Sequence, residues 1–206
     1  MLPVGLEAFV ARPEASLGMV IFAHGSGSGR LSPRNNYVAD GLHDAGLATL
    51  LLDLLTPKEA EDRTNIFNIP LLAQRLKLVE KWVEQQGATA RLPIGFFGAS
   101  TGAGAALLAA ADPGSSVAAV VSRGGRPDLA GPRALAQVRA PTLLIVGGRD
   151  LPVIDLNRKA LLHLRAEKQM VIVPGAHYLF EEPGALDQVL DYATRWFVTH
   201  LTRGQG

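Results

Sequence analysis

Residues 94–104 of the chain read Ile94-Gly95-Phe96-Phe97-Gly98-Ala99-Ser100-Thr101-Gly102-Ala103-Gly104. The first half is an apolar run typical of a buried strand, and an alanine- and leucine-rich segment typical of a helix follows at residues 105–111. A serine at such a turn has a strained backbone and an exposed hydroxyl, and its flanking glycines avoid collisions with the neighbouring strand and helix. Because the chain has 22 glycines, the strand-to-helix context counts for more than the Gly-x-Ser-x-Gly pattern alone. This context predicts Ser100 as a nucleophile.

The rest of the chain alternates between apolar runs and helical patterns. Most of the apolar runs are continuous, which is typical of a parallel sheet covered on both faces. The predicted strands are residues 6–10, 18–23, 48–52, 92–97, 117–121, 142–146 and 169–173. The predicted helices are residues 35–45, 70–87, 101–111, 155–166 and 183–201. The pattern predicts an α/β fold with right-handed crossovers, and the 206 residues suit a single domain over residues 1–206.

The longest irregular stretch runs from residue 55 to residue 69 and is rich in charge. A loop of that size beside the carboxyl edge of a sheet often shapes a substrate site. A solvated connection is the alternative interpretation of the same residues.

The composition excludes several classes of function. The formal net charge is +1 with no block of like charges, so there is no electrostatic case for nucleic acid or an acidic membrane surface. The absence of cysteine excludes disulfides, thiolate metal sites and cysteine nucleophiles. The histidines are scattered without a metal-ligand pattern, so no metal is expected. We find neither a signal peptide nor an apolar stretch approaching the roughly 18 residues of a membrane span, which predicts a cytoplasmic protein.

Two further residues complete a candidate catalytic set with Ser100. Asp150 follows the predicted strand 142–146, and His177 follows the last predicted strand. Both therefore lie at the carboxyl edge of the sheet, where such sheets bind ligands. The order Ser, Asp, His is that of α/β-hydrolases. We predict that Ser100 attacks, His177 shuttles the proton, and Asp150 fixes the imidazole tautomer and its positive charge.

Each of the three residues also has a simpler interpretation. The serine suits a helix N-cap, the aspartate suits a turn, and the histidine suits a loop. Their coincidence in this order at one sheet edge favours catalysis. Asp128, after the strand 117–121, is the alternative acid, and Asp155 is predicted to begin a helix. The other histidines lie too early in the chain or within helices: His24, His43, His163 and His200.

Acyl transfer also needs N–H donors for the developing oxyanion. The amide directly after the nucleophile, that of Thr101, is one predicted donor. The second is expected from the loop His24-Gly25-Ser26-Gly27-Ser28-Gly29, where we choose Ser26 and keep Gly27 as the alternative. In this loop His24 is predicted to brace the backbone. A phosphate site is disfavoured, because the glycine pattern is broken and no Gly-Lys-Ser/Thr occurs.

Taken together, these motifs resemble the α/β-hydrolase superfamily and, within it, the dienelactone hydrolase-like branch of small members without a cap. The resemblance extends from His24-Gly25 through the serine motif to Gly175-Ala176-His177. It implies a mostly parallel sheet of about seven strands, helices on both faces, no large cap domain, and hydrolysis through an acyl-enzyme without a cofactor. Dienelactone hydrolases proper use a cysteine nucleophile, whereas this chain has Ser100. We therefore expect a serine carboxylesterase acting on carboxylic esters or thioesters.

The triad leaves other functions open. An acyltransferase or a peptidase would use the same residues, and a ligand-binding module could retain the fold without catalysis. The expected partner is a small-molecule ester, with neither nucleic acid nor membrane, and the protein is expected to be a monomer or a homodimer. The short connection between residues 121 and 142 leaves no room for a lid, so a shallow site for small esters is expected.

Candidate substrate-binding side chains lie in segments predicted to border Ser100. Among them, Arg123 ends a strand beside the site, where it suits either a substrate carboxylate or a structural partner. The full set is Arg30, Tyr37, Phe67, Ile69, Arg123 and Tyr178.

Overall fold

A seven-stranded sheet forms the centre of the computed structural model, which describes residues 2–25 and 28–202. The strands are β1 (Ala8–Ala11), β2 (Met19–Ala23), β3 (Ala48–Leu52), β4 (Ile94–Ala99), β5 (Ala119–Arg123), β6 (Thr142–Gly147) and β7 (Lys168–Val173). Their order in the sheet is β1-β3-β2-β4-β5-β6-β7, and only β1 runs antiparallel to its neighbour. The predicted α/β fold with a mostly parallel sheet of about seven strands is confirmed.

Seven α-helices accompany these strands in the described part of the chain. They are α1 (Pro33–Asp44), α2 (Pro57–Ala60), α3 (Ile69–Gln85), α4 (Thr101–Ala110), α5 (Pro132–Leu135), α6 (Leu151–His163) and α7 (Ala185–Thr202). Three short 3-10 turns cover Pro3–Gly5, Arg63–Phe67 and Pro127–Ala130. Over residues 2–25 and 28–202 there is no large cap domain, as the sequence predicted.

The core lies on both faces of the sheet, which explains why the strand sequences are apolar without alternation. On one face, Phe96 packs with residues of α3 and α4 such as Leu76. On the other face, Phe97 packs with residues of α1 and α7 such as Val38 and Val189. Consecutive residues of β4 thus serve opposite halves of the core, and both are at most 1% exposed.

Two predictions about local structure are wrong, and both concern where a helix begins. The stretch from residue 55 to residue 69 is not irregular, because Thr56 and Glu59 form a capping box that starts α2. Helix α6 begins at Leu151 rather than at Asp155, with Asp150 in the N-cap position. A proline in the first turn suits such a start, because its missing N–H has no partner there in any case.

The topology brings the carboxyl ends of β2 to β7 to one edge of the sheet. The segments that follow these strands therefore meet there, including those with Ser100, Asp150 and His177. Across residues 2–25 and 28–202, we find no helix with the length and apolarity to traverse a membrane.

Candidate active site

Ser100 lies at the turn from β4 to α4 in a conformation that side chains rarely adopt. Its φ is 52° and its ψ is −126°, a strain that costs about 1–3 kcal/mol and persists where the surroundings enforce it. Its carbonyl oxygen accepts hydrogen bonds from the amides of Ala103 (3.1 Å) and Arg126 (3.0 Å). Although Ser100 occupies the N-cap position of α4, its side chain makes no capping bond. Its hydroxyl is therefore not committed to the helix.

Glycines allow the main chain to approach this turn closely. A Cβ on Gly25 would lie 2.5 Å from Ser100 Cβ, and a Cβ on Gly102 would lie 2.0 Å from the Ala23 carbonyl oxygen. Both distances are below any real contact of a Cβ atom, so a larger residue cannot fit without moving backbone. The segment after β2 is thereby held directly against the candidate nucleophile.

The first turn of α4 supplies one of the two predicted oxyanion donors. As the first residue of α4, Thr101 has an amide N–H without an acceptor inside the helix. Its side chain is 4% exposed, and the Oγ1 atom has no hydrogen-bond partner in the described part of the chain. The predicted second donor Ser26 and its alternative Gly27 lie outside the described residues.

The backbones around Asp150 and His177 are neighbours, as the sheet edge predicts. The amide of Arg149 donates to the Ala176 carbonyl at 2.9 Å, and a Cβ on Gly147 would lie 2.5 Å from the His177 carbonyl oxygen. A Cβ on Gly124, just after β5, would lie 2.4 Å from the Tyr178 carbonyl oxygen. The segments carrying the three predicted triad residues therefore converge at adjacent strand ends.

The side chains do not form the predicted relay in this structure. His177 Nδ1 lies 2.5 Å from Oε1 of Glu182, and the His177 side chain is 57% exposed. Within the described residues, no hydrogen bond joins His177 to Ser100 or to Asp150. The hydrogen bond from His177 lowers the pKa of Glu182 below its ordinary value. Glu182 was not identified from the sequence. It is one of two consecutive glutamates, with Glu181, and no motif distinguishes it as a partner of His177.

The two candidates for the acid, both aspartates, differ in their surroundings. The carbonyl of Asp150 accepts from Ile154 at 2.9 Å, while its side chain makes no capping hydrogen bond to α6. Both carboxylate oxygens of Asp128 accept from Arg126, at 2.9 and 2.8 Å. Asp128 therefore already has a bidentate partner, and of the two Asp150 is better placed to receive an imidazole N–H.

A cavity of about 770 Å³ reaches two residues adjacent to Ser100, whereas Ser100, Asp150 and His177 are not among the described residues that line it. Thr101 and Gly25 line it next to the candidate nucleophile, and its lining is predominantly apolar. Segment 54–67 supplies most of the apolar wall and thus shapes the cavity. A mostly apolar cavity of this size is typical of a binding site for a small molecule.

The other end of the cavity is polar. Arg30 donates to both carboxylate oxygens of Asp53, one bond being from its amide at 2.8 Å, and its Nη2 lies 2.6 Å from Oε2 of Glu7. His24 Nδ1 lies 3.2 Å from the Gly25 carbonyl oxygen, and burial lowers the pKa of His24. The neutral imidazole thus braces this wall, and the charge of Arg30 is already matched by two carboxylates.

Arg123 is a buried cation that forms no ion pair with any described residue. Its side chain is 6% exposed, and its Nε and Nη1 atoms have no hydrogen-bond partner among the described residues. Its guanidinium carbon lies 5.9 Å from the centre of the Phe97 ring. Burial, with a smaller contribution from the charge of Arg34, lowers the pKa of Arg123 to about 10. Arg34 itself has a carboxylate partner in Glu181, at 2.6 Å.

The remaining predicted substrate-binding residues occupy different places. Phe67 lines the cavity, as Arg30 does, and Tyr178 is exposed beside His177. Ile69 begins α3 and packs into the core, while the Tyr37 hydroxyl donates to Asp187 away from the cavity lining. Among residues 2–25 and 28–202, no group of three acidic or histidine side chains is arranged to hold a metal ion.

The chain is similar in sequence or in fold to several known proteins. No protein-family model matches the sequence. The chain is 56% identical to the dienelactone hydrolase from Anabaena variabilis ATCC 29413, with a TM-score of 0.92 over 95% of this chain and 92% of that chain. The fold is also similar to that of Est1E from Butyrivibrio proteoclasticus, with a TM-score of 0.80 at 14% identity over 96% of this chain and 95% of that one.

Two curated proteins from Mycobacterium tuberculosis, strains CDC 1551 and H37Rv, carry the name "Putative phosphoribosyl transferase". Each is 58% identical to this chain over 199 residues, which make up 97% of this chain and 45% of the relative. The chain thus spans about half the length of these relatives.

Proposed function

Because this chain belongs to the dienelactone hydrolase family of α/β-hydrolases, we propose that it is a serine hydrolase that cleaves carboxylic esters. The observation that carries the proposal is Ser100, whose strained backbone presents a hydroxyl that caps no helix, next to a largely apolar cavity. An ordinary helix-capping serine needs no positive φ and bonds the first turn of its helix. The strain at Ser100 is therefore better explained by function than by folding.

The proposed reaction proceeds through an acyl-enzyme. Ser100 Oγ attacks the ester carbonyl carbon while Nε2 of His177 takes the hydroxyl proton, and the amide of Thr101 donates to the resulting oxyanion. When the carbon–oxygen bond of the leaving alcohol breaks, His177 returns the proton to that alcohol. Water then attacks the acyl-enzyme by the same route. Asp150 is proposed to stabilise the imidazolium, and Ser26 to provide the second oxyanion donor. Side chains and water suffice for each step, so we propose no cofactor.

Serine makes the proposed enzyme more dependent on its base than a cysteine would. A thiol has an ordinary pKa near 8.5 and ionises readily, whereas a serine hydroxyl needs a base at the moment of attack. His177 must therefore turn towards Ser100 from its exposed position for the reaction to occur.

The proposal is tested by product analysis with p-nitrophenyl acetate. We expect acetate and p-nitrophenol as the products, with water as the main acceptor when alcohols, thiols or peptides compete. Acyl transfer to a competing acceptor instead of water would indicate the acyltransferase alternative. Cleavage of peptides in preference to esters would indicate the peptidase alternative. No turnover of any ester would favour a ligand-binding module.

The name of the mycobacterial relatives gives no reason to propose phosphoribosyl transfer for this chain. This chain matches 45% of each relative. The name therefore describes proteins in which more than half of the sequence has no counterpart in this chain. This chain itself has the hydrolase fold and the turn at Ser100, and its glycine-rich segments lack a phosphate-binding pattern.

We propose that the acyl group of the ester occupies the cavity beside Ser100. Replacing the exposed, cavity-lining Ala60 by tryptophan places a large ring at the cavity wall. Because each methylene in an apolar pocket contributes about 1–3 kcal/mol, we expect at least about tenfold lower kcat/KM for p-nitrophenyl octanoate. For the acetate ester, kcat/KM should change by less than about twofold, because a short acyl group does not reach this wall.

Lys58→Trp is the matched control, because Lys58 lies in the same helix, is exposed and does not line the cavity. Equal losses for octanoate in the two variants, or equal losses for octanoate and acetate in Ala60→Trp, would contradict this assignment of the cavity.

Arg123 is proposed to bind a carboxylate on the alcohol part of the substrate, because Arg123 is not among the described residues that line the cavity proposed for the acyl group. A buried guanidinium without a partner is costly, and a carboxylate would meet its free N–H groups. We expect Arg123→Met to raise KM for 4-carboxyphenyl butyrate, whose carboxylate is on the leaving group, at least about tenfold, since a charge-assisted bond contributes about 1.5–3 kcal/mol. For neutral p-nitrophenyl butyrate, KM should stay within about twofold, because that ester has no charge to pair.

Arg133→Met removes the same charge from an exposed site on α5 and serves as the control. An Arg123→Met enzyme in which both values of KM were unchanged would rule out this role. A structural role for Arg123 would instead show as a loss of thermal stability that affects both esters alike.

A further inference from the structure

Glu182 is the carboxylate that reaches the imidazole of His177. Its Oε1 atom lies 2.5 Å from His177 Nδ1 and accepts the backbone N–H of His177 at 3.0 Å. An ionised carboxylate can only accept hydrogen bonds, so Nδ1 carries the proton in this contact. In the neutral imidazole, Nε2 is then left with its lone pair, which is the tautomer that a general base requires.

The turn between the two residues fixes this arrangement. The amide of Phe180 donates to the His177 carbonyl at 3.1 Å, and Phe180 has a φ of 56°. Such a conformation is unfavourable for a bulky residue, and the Phe180 side chain, 1% exposed, anchors it in the core. The buried Phe180 side chain therefore fixes the turn that brings Glu182 back to His177.

The turn of Asp150 lies beside that of His177, but among the described residues no hydrogen bond or ion pair joins Asp150 to the imidazole. Its turn is tied to the His177 turn by the bond from Arg149 to Ala176, and its own side chain caps no helix. The turns of Asp150 and His177 are thus neighbours, and the bond that the structure shows to the imidazole is that of Glu182.

We propose that Glu182 is a positioning residue for His177, which holds Nδ1 in the free enzyme and can substitute for Asp150 in that role. The inference rests on the proposed serine hydrolase function. Glu182 acts through His177 and touches neither the ester nor Ser100. Its role is to keep the imidazole in the tautomer whose Nε2 accepts a proton.

The proposal predicts that the effects of changing the two carboxylates are not additive. In a triad with one acid, replacing aspartate by asparagine lowers kcat about 10⁴-fold. Here we expect Asp150→Asn to lower kcat by only about 10- to 100-fold, because Glu182 still fixes the tautomer. Glu182→Ala alone should cost less than about tenfold, and the double variant should reach a loss of about 10⁴.

The experiment measures kcat and KM for p-nitrophenyl acetate in the four members of this cycle. Glu182→Gln is included as the conservative variant, because its amide oxygen can accept both bonds from His177 and should restore part of the lost kcat. Nitrogen-15 NMR of histidine-labelled protein provides a readout that is independent of turnover. We expect the His177 signals to report a proton on Nδ1 in the wild type and a mixture of tautomers in Glu182→Ala.

Glu181→Ala is the control, because Glu181 is the neighbouring acid and pairs with Arg34 instead. Glu182 has only a structural role if its substitution lowers kcat by the same factor with and without Asp150, or leaves the NMR signals of His177 unchanged. A loss of about 10⁴ in Asp150→Asn alone would equally overturn the proposal. Those results leave the serine hydrolase function intact, whereas full activity in Ser100→Ala would overturn the function itself.

Discussion

Ser100→Ala is expected to lower kcat/KM for p-nitrophenyl acetate by about 10⁴- to 10⁶-fold. The substitution removes the attacking oxygen and leaves the amide of Thr101 and the cavity in place. A small residual rate from the oxyanion site is therefore expected. Because the side chain of Ser100 caps no helix, its removal should leave the thermal unfolding midpoint nearly unchanged. Steady-state kinetics together with circular dichroism on the same preparation measures both effects.

Ser16→Ala controls for loss of a serine hydroxyl elsewhere. The Ser16 hydroxyl donates to the Pro13 carbonyl at 2.9 Å, and it precedes β2 at the opposite edge of the sheet. The kcat/KM of the Ser16→Ala variant should equal that of the wild type. A well-folded Ser100→Ala protein that retained more than about a tenth of wild-type kcat/KM would contradict a nucleophilic role for this serine.

Gly102→Ala is expected to destabilise the fold strongly, although it adds only one methyl group. Its Cβ would lie 2.0 Å from the Ala23 carbonyl oxygen and 2.6 Å from that of His24, both of which are backbone atoms. Neither can move without displacing the end of β2 or the start of α4. We expect a loss of about 3 kcal/mol or more, which lowers the unfolding midpoint by about 6–12 °C in a chain of this size.

Gly87→Ala is the matched control for this substitution. A Cβ on Gly87 would meet no heavy atom within 4 Å, and its φ is not in the left-handed region. Its stability should stay within about 1 kcal/mol of the wild type or rise slightly, because alanine reduces the entropy of the unfolded chain. Equal unfolding midpoints for the two variants would show that the turn at Ser100 is not packed as described.

Much of the fold could be predicted because the strands are buried on both faces. Continuous apolar runs such as Ala48–Leu52 identify central parallel strands, and the observed bounds of this strand agree with the predicted ones. Helix starts were harder to predict, because local features decide them: α2 starts at the Thr56 capping box, and α6 starts at Leu151 with a proline in its first turn and no side-chain cap. A pattern of apolar residues does not report such local bonds.

For the candidate site, the sequence predicts which backbone segments meet, because these segments follow the ends of neighbouring strands. Topology alone brings the segments of Ser100, Asp150 and His177 to one edge. It does not decide which carboxylate meets the imidazole, because that depends on the turn that returns Glu182. Likewise, the sequence marks Arg123 as the end of a strand, whereas the lack of a partner for its N–H groups is a property of packing.

The central claim is that Ser100 is the residue that becomes acylated. The most direct measurement is to treat the wild-type protein with a biotin-tagged fluorophosphonate, digest it and locate the adduct by mass spectrometry. We expect a single adduct on Ser100, loss of ester turnover in step with labelling, and no adduct in Ser100→Ala. An adduct on another residue, or ester turnover that persists with Ser100 fully labelled, would contradict the claim.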